Sequence, residues 1–129
     1  MAQDQNHLIW LDMEMTGLNP DTDRIIEVAM IITDQDLNVL AQSDVYVIHQ
    51  SDDVLNSMDA WNTATHGRTG LTARVRESIA TEAEVEQKLL DFMAQWLPEK
   101  ASPMCGNTIH QDRRFMVRYM PRLEAYFHY

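Results

Sequence analysis

Leu8-Ile9-Trp10-Leu11-Asp12-Met13-Glu14-Met15-Thr16-Gly17-Leu18 is an apolar run that ends in two carboxylates and a Thr-Gly turn. The apolar part has the character of a buried strand. Side chains alternate along a strand, so Leu8, Trp10, Asp12 and Glu14 are expected to share one face. Two carboxylates leaving a sheet side by side repel, and each is driven toward its neutral form unless positive charge lies between them. A divalent metal ion is the usual resolution. The chain has 20 Asp and Glu residues, however, and an Asp-x-Glu triplet is cheap at that frequency. Perturbed carboxylates mark function only when other residues converge on them.

Outward from this stretch, residues 18–23 form a polar turn around Pro20, and residues 24–33 are rich in β-branched side chains, which predicts a second strand apolar on both faces. Residues 34–38 read as a tight connection into a third strand over 39–48, in which Val45 and Val47 alternate against Asp44 and Tyr46. Three strands with short turns make an antiparallel meander. Strand signals stop at Ser51, and Val54, Leu55, Met58, Trp61 and Leu71 are scattered through a polar, helical and irregular stretch that predicts no clean periodic helix. Within it, 61–71 combines Trp61, His66 and Arg68, although a lone Trp or His is more often packing than site. Trp61 and His66 are spaced so that they need not share a helix face.

Thr81 and Glu84 form a capping-box pattern, and Val85, Leu89, Phe92, Met93 and Trp96 follow at helical spacing until Pro98. This Met and aromatic stripe is read as packing. Residues 103–106 predict a short strand leading into a helix that runs from Ile109 to Pro121. On that helix Asp112, Phe115, Met116 and Tyr119 fall on one stripe, so an aspartate points where the core should be. A strand followed by that helix would bring Asp112 to the sheet end where Asp12 and Glu14 emerge. The competing reading pairs Asp112 with Arg113 or Arg114 at the edge of the core.

The 129 residues fit one domain, 1–129, with no linker, repeat or low-complexity segment. A formal net charge of -10 argues against a broad groove for long duplex nucleic acid, which needs many Lys and Arg contacts to phosphate. A short anionic ligand held through metal ions escapes that objection. Cys105 is the single cysteine, which excludes an intrachain disulfide and suits a reducing compartment. The N-terminus shows no leader pattern and no run has the length of a membrane span, so no membrane association is expected and the cytoplasm is the expected location.

Taken together, Leu11-Asp12-Met13-Glu14-Met15-Thr16-Gly17-Leu18, Ile26-Glu27-Val28-Ala29, Trp61-Asn62 with His66 and Gly70-Leu71, and Gly106-Asn107 followed by Asp112-Arg113 and Phe115 resemble the oligoribonuclease family. This is a family of 3′-to-5′ exoribonucleases within the ribonuclease H-like, DEDD exonuclease superfamily. The resemblance runs essentially end to end, and blocks matched in order are far more specific than any one of them. It implies an α/β, ribonuclease H-like fold: a three-stranded antiparallel meander extended by a further strand and flanked by helices. It further implies that Asp12, Glu14 and Asp112 bind two Mg²⁺ or Mn²⁺ ions, about 4 Å apart, at the scissile phosphate. By the same resemblance Trp61 stacks on a base, Leu18 wedges between bases, and His66 and Thr108 lie near the 3′-terminal nucleotide. Tyr129 matches an active-site tyrosine that reaches into the partner subunit of a homodimer. Short oligoribonucleotides are the implied substrate. A proofreading-type DNA exonuclease, or a non-catalytic nucleotide-binding module of the same fold, are the alternatives.

The sequence departs from the family pattern in one large respect. A third motif, His-x-x-x-x-Asp, supplies the base that takes the proton from water and the last metal carboxylate, and nothing after Asp112 matches it. The chain therefore reads as the N-terminal portion of such a protein, lacking a C-terminal strand and helix. A positioned base contributes a factor of about 10²–10⁴, so the 129-residue chain is expected to hydrolyse diribonucleotides at least about a hundredfold more slowly than the full-length protein. Turnover of the purified fragment with Mg²⁺ or Mn²⁺ tests this, and a rate within about tenfold of full length would show that another residue serves as base.

Overall fold

β1 (Leu8–Met15) alternates as its sequence demands: Ile9, Leu11 and Met13 are buried, while Leu8, Trp10, Asp12 and Glu14 share the opposite, more open face. The computed structural model describes residues 3–128. β2 (Ile25–Thr33) pairs antiparallel with β1, Asp12 facing Ala29 and Glu14 facing Glu27. β3 (Val39–Gln42) pairs antiparallel with β2 and completes the expected meander. On the other side of β1, β5 (Met104–Cys105) pairs parallel, so the sheet runs β3-β2-β1-β5, and β4 (Tyr46–Val47) adds to β2. A strand placed next to β1 in parallel sends the chain onward past the end where the carboxylates leave.

Two expectations for the strands need correction. The third strand is not continuous over 39–48, because Ser43 takes over the ladder. Its N–H donates to the Met30 carbonyl (2.9 Å), while its Oγ accepts from the Met30 N–H (2.9 Å) and donates to the Asp44 carbonyl (2.8 Å). A side chain that substitutes for backbone partners ends a strand. Val45 accordingly lies outside any strand and is exposed. β2 is apolar on both faces only near its start, where Ile25 joins one hydrophobic cluster and Ile26 another; further along, Ile31 is exposed.

Between 51 and 80 three short helices form, α1 (Asp52–Asn56), α2 (Ala60–Arg68) and α3 (Leu71–Glu77). None shows helical periodicity in sequence because each buries only one or two residues. Their starts are local. Ser51 accepts from the Val54 N–H and Asp59 from the Asn62 N–H, and Gly70 at φ 78° makes the left-handed turn between α2 and α3. Leu55, Met58, Leu71 and Val75 close over Ile26 as a small second core.

The main core lies on the other face. α4 (Glu82–Ala94) begins at Thr81, which accepts from the Glu84 N–H, and presents Val85, Leu89 and Met93 to the sheet. α5 (Ile109–Tyr119) buries Asp112, Phe115 and Met116, the stripe its sequence predicts. Pro121 does not simply end this helix: it opens α6 (Pro121–Tyr126), where proline at the first position needs no N–H donor. The buried Glu86 of α4 accepts from the Leu123 N–H (3.0 Å), satisfying a first-turn donor of α6 with a carboxylate at the positive end of the helix. Among the described residues no helix is long and apolar enough to cross a membrane.

Glu86→Ala should therefore lower stability by about 1–3 kcal/mol, because it strands a buried N–H as well as removing a bond. Urea unfolding should show a lower midpoint at unchanged slope, with Glu86→Gln, which keeps an acceptor, recovering most of the loss.

Candidate active site

The second half of β1 delivers Asp12 and Glu14 to the edge of a cavity of about 320 Å³. The opposite wall comes from the turn after β5 and the start of α5. Gly106 adopts φ +145°, and a Cβ there would lie 2.6 Å from the Leu11 carbonyl oxygen, so only glycine lets the chain pass this close to the residue preceding Asp12. Thr108 follows in the left-handed region (φ 48°) and sets the direction of α5. Asp112 is thereby brought to the same cavity as Asp12 and Glu14 and is only 3% exposed.

Neither neighbouring arginine pairs with Asp112. Arg113 donates to the His128 carbonyl and lies 3.8 Å from Glu124, and Arg114 donates to the Gln111 side chain. Burial, reinforced by Asp12 and then Glu14, pushes the Asp112 carboxyl from its usual 3.8 up to about 7. Burial also raises Glu14, as do Asp12 and Glu27, although His66 acts in the opposite sense. The three carboxylates thus feel one another across one cavity.

Leu18 and Trp61 line the cavity too, and both are strongly exposed for their size, at 68% and 69%. Trp61 stands at the start of α2, next to Asn62, whose side chain donates to Asp59. Thr108 belongs to the lining as expected. His66 is placed differently: it is 3% exposed, is not part of the cavity wall, and its Nε2 is 3.0 Å from the Met15 carbonyl oxygen. A carbonyl can only accept, so Nε2 carries the proton, and the ring braces the last residue of β1 directly behind Glu14. Tyr129 lies outside the described residues. Asn62, Asn107 and Gln111 also reach the cavity. The first two lie within blocks that sequence reading singles out, whereas Gln111 gave no signal beyond adjacency to Asp112.

As donors, three carboxylates suit a hard divalent cation such as Mg²⁺ or Mn²⁺. Among the described residues, however, no group of three or more His, Cys, Asp or Glu side chains is gathered closely enough to hold a metal ion. A bound cation would draw these side chains together. The donor chemistry and the shared cavity fit such an ion.

The sheet order and the parallel strand feeding α5 define a ribonuclease H-like fold. The RNase_T exonuclease family model matches residues 9–129. Product-bound exonuclease I superposes with a TM-score of 0.72 at 22% identity, covering 93% of this chain and 26% of that one, and exonuclease I of E. coli in complex with a dT13 oligonucleotide with 0.67, covering 85% and 22%. These likenesses establish the fold. The particular branch follows from closer relatives. The chain is 82% identical over 127 residues to the oligoribonuclease of Neisseria meningitidis serogroup B, covering 98% of this chain and 68% of that protein. It is 70% identical over 129 residues to that of Chromobacterium violaceum, covering 71% of its length. The chain belongs to the oligoribonuclease family.

Because the folded Asp112 carboxyl titrates near 7 rather than 3.8, the folded metal-free protein keeps a proton that the unfolded chain releases between those values. Stability in chelator should therefore fall as pH rises through that window. Asp112→Asn should remove the slope, and thermal melts should show the variant gaining on the parent from pH 5 to pH 8. A variant clearly less stable than the parent at pH 8 would contradict the buried-anion reading.

Proposed function

We propose that this protein removes nucleotides from the 3′ end of very short oligoribonucleotides by metal-assisted phosphodiester hydrolysis, releasing mononucleotides. The observation that carries the reading is the cavity itself: three carboxylates from two facing walls, with Leu18 and Trp61 beside them, in a space of about 320 Å³. The membership of the chain in the oligoribonuclease family supports the substrate class. Asp12, Glu14 and Asp112 hold the divalent ions. Two Mg²⁺ or Mn²⁺ ions, when bound, supply a nucleophilic water at neutral pH and charge stabilisation for the leaving 3′ oxygen.

The remaining roles belong to the chain. Trp61 presents an indole face on which a base stacks, a contact worth about 1–3 kcal/mol that does not depend on base identity. Leu18 wedges between bases at the edge of the cavity that the carboxylates line. Thr108 and Asn107, at the start of α5, offer a hydroxyl and an amide to the terminal nucleotide. His66 acts from behind the wall, holding Met15 and so the backbone that carries Glu14. The protein works as a homodimer in the cytoplasm, with Tyr129 contributing at the neighbouring site, and residues 1–129 belong to a single exonuclease domain that is incomplete at its C-terminal end.

Diribonucleotides and the matching deoxy dinucleotides, given to the full-length protein with Mg²⁺ or Mn²⁺, test the substrate class. RNA turnover should dominate, and preference for DNA would favour a proofreading-type exonuclease instead. Trp61→Ala should weaken dinucleotide binding by about 1–3 kcal/mol for all base sequences alike. A sharp loss of melting temperature with unchanged affinity would make Trp61 a packing residue.

A further inference from the structure

The turn that carries Leu18 is fixed far more firmly than an exposed hairpin loop requires. From inside, the Asp23 carboxylate accepts from the Thr16 hydroxyl (3.1 Å) and from the Asn19 N–H (3.0 Å), and it packs so closely on Gly17 that a Cβ there would collide with it. Thr16, itself 1% exposed, accepts in turn from the Arg24 N–H (3.0 Å). From outside, the Tyr119 hydroxyl donates to the Pro20 carbonyl (2.8 Å), two residues beyond Leu18. The Arg24 guanidinium stacks over the Tyr119 ring at 4.5 Å and holds that ring in place.

Tyr119 is the last residue of α5, and Asp112 lies seven positions earlier, on the same helical face. One rigid helix therefore holds a carboxylate of the cavity near its start and the Leu18 turn at its end. From this geometry we infer that Tyr119 is a positioning residue for substrate: its bond to the Pro20 carbonyl keys the Leu18 turn to the helix that carries Asp112, and so sets the distance between base wedge and carboxylate wall. The inference rests on the proposed contact between Leu18 and substrate. Tyr119 itself does not line the cavity, so it acts through the turn and not on the reacting atoms.

Tyr119→Phe removes the hydroxyl while keeping the ring that Arg24 covers. In full-length protein it should raise KM for a diribonucleotide by about threefold to tenfold, the usual effect of one lost hydrogen bond, at nearly unchanged kcat. Hydrogen exchange of the Asn19, Asp21, Thr22 and Asp23 backbone amides should quicken. Leu18→Ala should also raise KM, and the double variant should be no worse than Leu18→Ala alone, since the bond has nothing left to position. Multiplied effects in the double variant, or an unchanged KM in Tyr119→Phe, overturn the inference while leaving the Leu18 contact standing. An unchanged KM in Leu18→Ala overturns that contact and the inference with it. If Tyr119→Phe unfolds α5, Asp23→Asn loosens the same turn from the inside, and the same cycle with Leu18→Ala decides.

Discussion

Mutual repulsion among Asp12, Glu14 and Asp112 is the constraint on which the rest of this structure depends. Asp112 is almost wholly buried, and its carboxyl is driven up to about 7 by that burial and by the other two. Left to itself such a cluster would open. What holds it is backbone, because the groups come from two elements fixed independently: β1 by its ladder to β2, and α5 by the buried stripe of Phe115 and Met116. Both elements are anchored in the main core, which β1, β2, α4, α5 and α6 build together.

Several contacts that look like local packing follow from the same requirement. Gly106 lets the chain pass against the Leu11 carbonyl, one residue from Asp12, and any side chain there would push α5 and Asp112 away. His66 spends its ring proton on the Met15 carbonyl, one residue beyond Glu14. The Ser102 hydroxyl accepts from the Ile9 N–H (3.0 Å) and so continues the β1 edge where β5 is too short to do so. The first two fix the backbone next to a carboxylate, and the third steadies the strand that carries two of them.

The sequence is most informative where one periodicity governs. Alternation along 8–15 placed Asp12 and Glu14 on one face, and the spacing of Asp112, Phe115 and Met116 placed an aspartate at the core, because in both segments burial alone selects the residues. Segments governed by particular hydrogen bonds are harder to read. The break in the 39–48 strand depends on where the Ser43 hydroxyl points, and α6 depends on Glu86 arriving from another helix to satisfy the Leu123 N–H. Neither partner is near in sequence. Gln111 reaches the cavity only because Thr108 turns left-handed and aims the helix, a backbone choice that composition does not announce.

The acidic character of the chain limits how it can hold an anionic ligand. Of its 10 Lys and Arg residues, Arg24, Arg74, Arg76, Arg113 and Arg118 already face a carboxylate within 4 Å. Among the described residues, no arginine or lysine lines the carboxylate cavity. In the proposed reaction, this cavity contributes affinity through stacking on Trp61, through the apolar Leu18 and through cations drawn in by the carboxylates. The first two act on the nucleotides inside the cavity and gain nothing from a longer strand.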